Sequence, residues 1–384
     1  MSDRLTTSVR VPEIDALRGL ALFGILMVNV WFFADPGGPA GGPAGGPAGG
    51  QISDQAVRLL VATFFEGKFY LLFSLLFGYG FVVLRDSTTP HTVRVIGRRL
   101  AALGVLGVLH GLTLFYGDIL VTYALAGTLL LATRTMTTRA RWATAAAITA
   151  GVSLLIIGSA LLVLAAGPAG SGAAALGPGT ASDTPGEAFA ANAGTYGAIL
   201  PSVVLFQGPL ALAAFHAGAA LAERGVLRPH PPSRRVLVRV AVVALPPGLA
   251  VSALQAHLAQ QGGEGLSLLA TGLSVAASPL VTIGYAAAFL LLLRSRPGRA
   301  LGRVMAGAGR ISLSNYLGQS LMLCLVFTGY GFGLADQVPL PAVPVVVVGL
   351  YALQLGASHL VLARFGTGPV EAALRRFVRR TPAL

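Results

Sequence analysis

Charge is what this sequence has least of. Only 11% of its 384 residues are Asp, Glu, Lys or Arg, whereas a soluble domain carries about 25%. The chain is 54% hydrophobic, with a mean hydropathy of +0.75, and it cannot cover itself for water. That excludes a soluble enzyme. It also excludes a nucleic-acid-binding domain, although a net charge of +13 and a pI near 10.9 would suggest one in a soluble protein. Cysteine is nearly absent: Cys324 stands alone inside an apolar run, so one chain forms neither a disulfide framework nor a thiolate metal site. No metal site is expected. Lysine is nearly absent too, with Lys68 the single one among 27 basic residues. Period-two alternation is missing, which excludes a membrane β-barrel and leaves helices.

What fills the chain is apolar runs of bilayer-spanning length. They read as about ten spans: Ala16–Phe33, Phe69–Leu84, Leu100–Tyr116, Ile119–Thr133, Trp142–Ala166, Ile199–Ala222, Val236–Ala256, Leu266–Leu293, Ile311–Phe332 and Leu340–Ala363. All Lys and Arg except Arg58 and Lys68 fall on alternate connections, from Arg4, Arg10 and Arg18 to the tail arginines Arg364–Arg380. The positive-inside rule then predicts both termini in the cytoplasm. The expected fold is an all-α polytopic bundle, one integral-membrane domain over 1–384, with the lipid bilayer as its solvent. The low-complexity tract Pro36–Gly50 cannot pack and reads as an outer loop. Gly167–Ala198, with Asp183 and Glu187, reads as a second long outer connection. Residues 364–384 read as a basic cytoplasmic tail. The first span lacks a small-residue cleavage site and reads as an anchor.

Against so apolar a background, ionisable residues in or beside the spans are functional candidates. The stretch Phe64–Gly80 sets Glu66 and Lys68 at the outer mouth of a continuous apolar run. Asn29 lies eleven residues beyond Arg18, about 16 Å along a helix, and His110 lies eleven beyond Arg99. Asp118 follows at the outer end of the same hairpin. These five are expected to converge in the outer half. His110 and Asp118 are about 80° off a common helical face, so they share a cleft only if the turn bends inward. Each residue also has a structural alternative. Glu66 and Lys68 suit an interfacial pair, and His110 a core histidine bonded to a carbonyl. Asp118 suits a helix cap, and Asn29 a helix–helix contact. His216 and His359 are read as structural. At the start of the ninth span, Ser312, Asn315, Tyr316 and Gln319 recur at i, i+3, i+4 and i+7. That polar stripe must face the bundle interior or a wet cavity.

These residues carry a resemblance. The runs are Ile14–Gly19 with Gly24-Ile25 and Val28-Asn29; Gly67-Lys68-Phe69 with Phe73–Gly78; His110-Gly111 with Gly117–Leu120; Gly309-Arg310 with Ser314–Leu317 and Gln319-Ser320; and Gly368-Pro369 with Glu371. In that order they resemble the YeiB-like family of bacterial inner-membrane proteins, domain of unknown function family 418. Two departures stand out. The family shows tryptophans around its Gly-Pro-x-Glu run where Ala372–Leu374 has none, and the Gly-Pro-Ala repeat is an insertion. The family's Leu-Arg-Gly start and trailing Asn are in turn similar to the membrane-bound acyltransferase superfamily, which includes the acyltransferase-3 and heparan-glucosaminide acetyltransferase proteins. The resemblance implies a multi-pass protein of the bacterial plasma membrane. It also implies an acyl donor taken from the cytoplasm and an acceptor at or beyond the membrane.

Three function classes follow. The first is an acyltransferase acting on a small-molecule or lipid substrate, with no bound cofactor and acyl-coenzyme A as donor. Here His110 is the base, Asp118 or Glu66 orients it, and Lys68 or Asn29 faces the oxyanion. Arg18 and Arg310 hold donor phosphates, with Asn315, Tyr316 and Gln319 along the substrate path. The second is a small-molecule transporter, which buried ionisable residues and Gly/Pro-interrupted helices suit; no internal repeat supports it. The third is an accessory protein whose polar residues only pack helices.

Overall fold

The computed structural model describes residues 11–35, 52–85, 90–166, 184–228 and 230–379. Arg4, Arg10, the tract 36–50, Asp183 and Arg380 lie outside them, as does residues 167–183 of the long connection. Among the described residues the chain is α-helical without a strand; one isolated bridge pairs Val226 with His230.

Among the described residues, eight helices or runs of consecutive helices are long and apolar enough to cross a membrane. They are α1 (Pro12–Asn29) continued by α2 (Trp31–Ala34); α3 (Ile52–Phe64) with α4 (Phe69–Arg85); α5 (Pro90–Thr113); α7 (Thr138–Ala166); α8 (Pro185–Ser202) running through a π-helical turn into α9 (Gly208–Glu223); α10 (Arg234–Gln260); α11 (Glu264–Leu292); and α14 (Val343–Phe365). The other two expected spans fall on shorter apolar helices, α6 (Leu120–Ala132) and α13 (Ser312–Phe327). Several stretches read as connections are helical instead. Residues 52–64 form α3. Residues 185–198 belong to α8, which opens on a capping box between Thr184 and Glu187. The arginine-rich connection holds α12 (Arg296–Arg310), and the tail holds α15 (Pro369–Arg379).

The bundle is tied by close helix crossings. α10 packs along α11, α4 against α9, and α1 against α12. Glycine makes two of these crossings. A Cβ on Gly19 would sit 2.3 Å from the Met305 carbonyl, and one on Gly309 would sit 1.8 Å from the Asp15 carbonyl. Gly78 and Gly218 meet α9 and α4 backbone in the same reciprocal way. Small residues let helix backbones approach where no hydrophobic drive exists between helices in lipid. The glycines of the Leu-Arg-Gly and Gly-Arg runs therefore have a packing role. Arg58, one of the two basic residues off the main pattern, is buried. It pairs with Asp35 and lies 5.4 Å from the Trp31 ring centre, tying α3 to α2.

The α3–α4 run is broken inside the bundle. Gly67, at φ +78, would place a Cβ 2.8 Å from Ser278 Oγ and 3.2 Å from Ser274 Oγ. Thr282 Oγ1 donates to the Lys68 carbonyl at 2.9 Å, and Tyr285 Oη to the Phe64 carbonyl at 2.9 Å. Ser278 is the middle residue of α11, about 21 Å from either end. Glu66 and Lys68 thus sit beside the middle of α11, within the apolar helical run Ile52–Val83, where the sequence set them at the mouth of an apolar run. Hydrophobicity restarts at Phe69, but α3 has already entered the bundle above it.

Candidate functional site

The residues expected in one site form separate groups. The first is built on the α5–α6 hairpin. The turn between the helices is held inward by α8 and α13: Asn192 Oδ1 accepts the Tyr116 N–H at 2.9 Å, Asn192 Nδ2 donates to the Gly111 carbonyl at 2.6 Å, and Cys324 Sγ donates to the Leu114 carbonyl at 3.2 Å. This bend overcomes the 80° offset. It brings Asp118 Oδ1 within 2.8 Å of His110 Nδ1. Asp118 Oδ2 meanwhile accepts the N–H groups of Leu120 at 2.9 Å and Val121 at 3.2 Å. The carboxylate is therefore a helix cap and a histidine partner together.

The other imidazole nitrogen meets α13. His110 Nε2 lies 2.9 Å from Ser320 Oγ. All three side chains are buried, at 2%, 0% and 2% exposure for His110, Asp118 and Ser320. A carboxylate at Nδ1 favours the neutral tautomer that carries its proton there, and Nε2 then accepts from the serine hydroxyl. This carboxylate–imidazole–hydroxyl order is the arrangement that activates a serine nucleophile on unrelated folds. Tyr316, one helical turn before Ser320, packs its ring 5.1 Å from the imidazole. Ser320 was missed as a site residue because the polar stripe was followed from Ser312. The i, i+4 pair Tyr316 and Ser320 was the signal available.

The remaining stripe residues turn to α14. Asn315 Nδ2 donates to Ser358 Oγ at 2.9 Å, Gln354 Nε2 donates to the Asn315 carbonyl at 2.8 Å, and Gln319 Nε2 donates to Gln354 Oε1 at 2.9 Å. Together they form a polar seam between α13 and α14. Glu371 caps the start of α13: its Oε1 accepts the N–H groups of Leu313 and Ser314 at 2.9 and 3.1 Å, and its Oε2 accepts Ser314 Oγ at 2.5 Å.

The second group lies at the α3–α4 break. Lys68 is fully buried, and its Nζ donates to the Ala62 carbonyl at 2.9 Å. Glu66 faces Lys68 and Gln255. No hydrogen bond joins either residue to the His110 group among the described residues, nor does one join Asn29, at the end of α1. Of the five residues expected to converge, His110 and Asp118 are the two that a hydrogen bond joins among the described residues.

The third group is a cleft of about 1040 Å³ at the arginine-rich end, between α1, α12 and α14. Arg296, Arg299, Arg303 and Arg310 line it from one face of α12, with His359 and Leu362 of α14 opposite. Arg18 is not in its wall; it pairs with Asp15 at 3.1 Å. His216 lies beside the Arg141–Glu223 pair, with Nδ1 3.4 Å from the guanidinium. Among the described residues no cluster of His, Cys, Asp or Glu could hold a metal.

Residues 221–381 match the model of a family described as "Protein of unknown function (DUF418)". That match holds the Ser320 helix and the arginine cleft's α12 and α14, and it leaves the His110–Asp118 hairpin outside. The chain is also 27% identical over 384 aligned residues to the uncharacterized protein YxaH of Bacillus subtilis, covering 95% of this chain and 93% of that one. It is 35% identical over 118 residues to the uncharacterized protein YeiB of Escherichia coli, covering 31% of this chain and 29% of that one. No solved structure matches the chain. Residues 221–381 are thus similar to the DUF418 family, and the chain has the make-up of a multi-pass membrane protein.

Proposed function

We propose that this protein is a membrane-embedded acyltransferase of the bacterial plasma membrane, with Ser320, His110 and Asp118 as its transfer relay. One observation carries the reading: a single buried imidazole bridges a carboxylate and a hydroxyl at 2.8 and 2.9 Å. Ser320 Oγ attacks the donor thioester carbonyl while its proton passes to His110 Nε2. The C–S bond breaks, the thiolate takes that proton, and an acyl-serine remains. An acceptor hydroxyl or amine then gives its proton to His110 and takes the acyl group, which restores the serine. Asp118 holds the imidazole's tautomer and supports its transient charge.

The arginine cleft supports a coenzyme A donor, because guanidinium forks suit phosphate oxygens. From Ser312 to Ser320 is about 12 Å of helix, a span that an extended pantetheine arm can bridge along the Asn315–Gln319 seam. The arginine pattern, which predicts both termini in the cytoplasm, supports a cleft on the donor's side of the membrane. The test is incubation of purified protein with a panel of acyl-coenzyme A donors, followed by peptide mass spectrometry. Acyl groups on Ser320 and coenzyme release, both lost in Ser320→Ala and His110→Ala, are the expected result. Folded wild-type protein that releases no coenzyme from any donor would sink the reading.

A transporter is the second reading, favoured by the helical run broken around Glu66 and Lys68. It predicts substrate movement into proteoliposomes without covalent change, in wild type and in Ser320→Ala alike.

A further inference from the structure

The α3–α4 break holds buried polar atoms that acyl transfer does not use. Glu66 is half-buried, and its Oε2 atom is enclosed with no hydrogen-bond partner among the described residues. The Gln255 side chain hydrogen-bonds that carboxyl, while its own enclosed Oε1 atom has no donor. Ser252 Oγ, one turn earlier on α10, is likewise enclosed without a partner among the described residues. The carboxyl and amide oxygens only accept, the serine hydroxyl both donates and accepts, and in lipid a polar atom denied a partner is costly. A carboxylate there is costlier still.

Lys68 does not remove the difficulty. Its ammonium is engaged by the Ala62 carbonyl at the C-terminal end of α3, where the helix dipole is negative and favours a cation. The positive charge is therefore met by a helix end as well as by Glu66. Lys68 is the one charged group acting on Glu66. α10 presents neutral Gln255 and Ser252. α11 presents Ser274, Ser278 and Tyr285, whose hydroxyl is spent on the Phe64 carbonyl.

We propose that Glu66 is a proton-binding site within the membrane, carrying an exchangeable proton on Oε2 at neutral pH. One proton removes the charge and turns the enclosed Oε2 into a hydroxyl oxygen, so it no longer stands as a charged acceptor without a donor. Deprotonation returns the proton to water and leaves Lys68 as the nearest counter-charge. The neighbours make both states accessible: Lys68 and the Gln255 side chain stabilise the anion, and the apolar surround favours the neutral acid. The site is separate from the His110 relay and does not depend on acyl transfer.

The experiment uses the full protein in detergent or liposomes and a hydrophobic carbodiimide, dicyclohexylcarbodiimide. Only a protonated carboxyl adds across its N=C=N bond; the resulting O-acylisourea rearranges to a stable N-acylurea, which peptide mass spectrometry locates. Glu66 is expected to be labelled at neutral pH and several-fold less at alkaline pH, with little labelling by a water-soluble carbodiimide. Infrared difference spectra across the same range give a readout independent of reagent access. A protonated-carboxyl C=O band should titrate in wild type and vanish in Glu66→Gln. If that band is absent from wild type or survives in folded Glu66→Gln, the proposal is overturned. Faster labelling by the water-soluble reagent would overturn it equally.

Discussion

Two carboxyl sites inside this bundle are opposites. Around Asp118 every acceptor has a donor: one imidazole N–H and two backbone N–H groups reach its carboxylate. Around Glu66 the carboxyl, a neighbouring amide and a nearby hydroxyl each keep an acceptor unused. A fully satisfied buried network fixes geometry, and reactive groups need fixed geometry. A network left incomplete is stable only with something added, and a proton is the smallest addition available. The same chain therefore places a rigid polar site and a titratable one in one apolar interior.

The largest test of this contrast is Asp118→Ala. It orphans His110 and two backbone N–H groups at once, and should cost about 3–5 kcal/mol, read as a large fall in Tm in detergent. Asp118→Asn keeps an acceptor for the cap but reverses the tautomer. It should leave Tm nearly intact while acyl incorporation falls by about 10⁴-fold. Ser320→Ala should cost about 1–2 kcal/mol and abolish the acyl-peptide. Glu66→Gln, replacing one neutral group by another, should change stability by less than about 1 kcal/mol. A loss as large as that of Asp118→Ala would mean that Glu66 works as an anion and the contrast is false.

The smallest effect is expected outside the spans, at Asp336. Burial, then the nearby Asp35, raises its carboxyl above the usual range. The folded state therefore binds a proton at a pH where the unfolded chain has lost it. Stability should rise slightly as pH falls through that window, and Asp336→Asn should flatten the profile. Because Asp336 is exposed, the change in Tm should be slight beside the others.

The helical class was legible because continuous apolar runs admit little else in lipid. Partners were less legible. His110 and Asp118 could be named as a pair, but their meeting needed Asn192 and Cys324 to pull the turn inward, and neither residue advertises that. Ser320 comes from 210 residues away, a separation no local pattern encodes. The placement of Glu66 and Lys68 inside a helical run was hidden for a different reason. α3 is short and carries Asp54 and Arg58, so its composition resembles a loop although Arg58 is neutralised within the fold. α8 was missed despite its Thr184–Glu187 capping box, because Gly- and Ala-rich sequence weakens the hydrophobic signal beyond it.

The cap that Glu371 places on α13 has a consequence for timing. The helix that delivers Ser320 to His110 is completed by a carboxylate 51 residues further along the chain. During synthesis, α13 emerges and inserts before its first turn has that partner. The cap cannot close until α15 has left the ribosome and folded back. A product truncated before α15 would hold Ser320, His110 and Asp118 and still lack the closing contact, so α13 comes into register only once α15 is made.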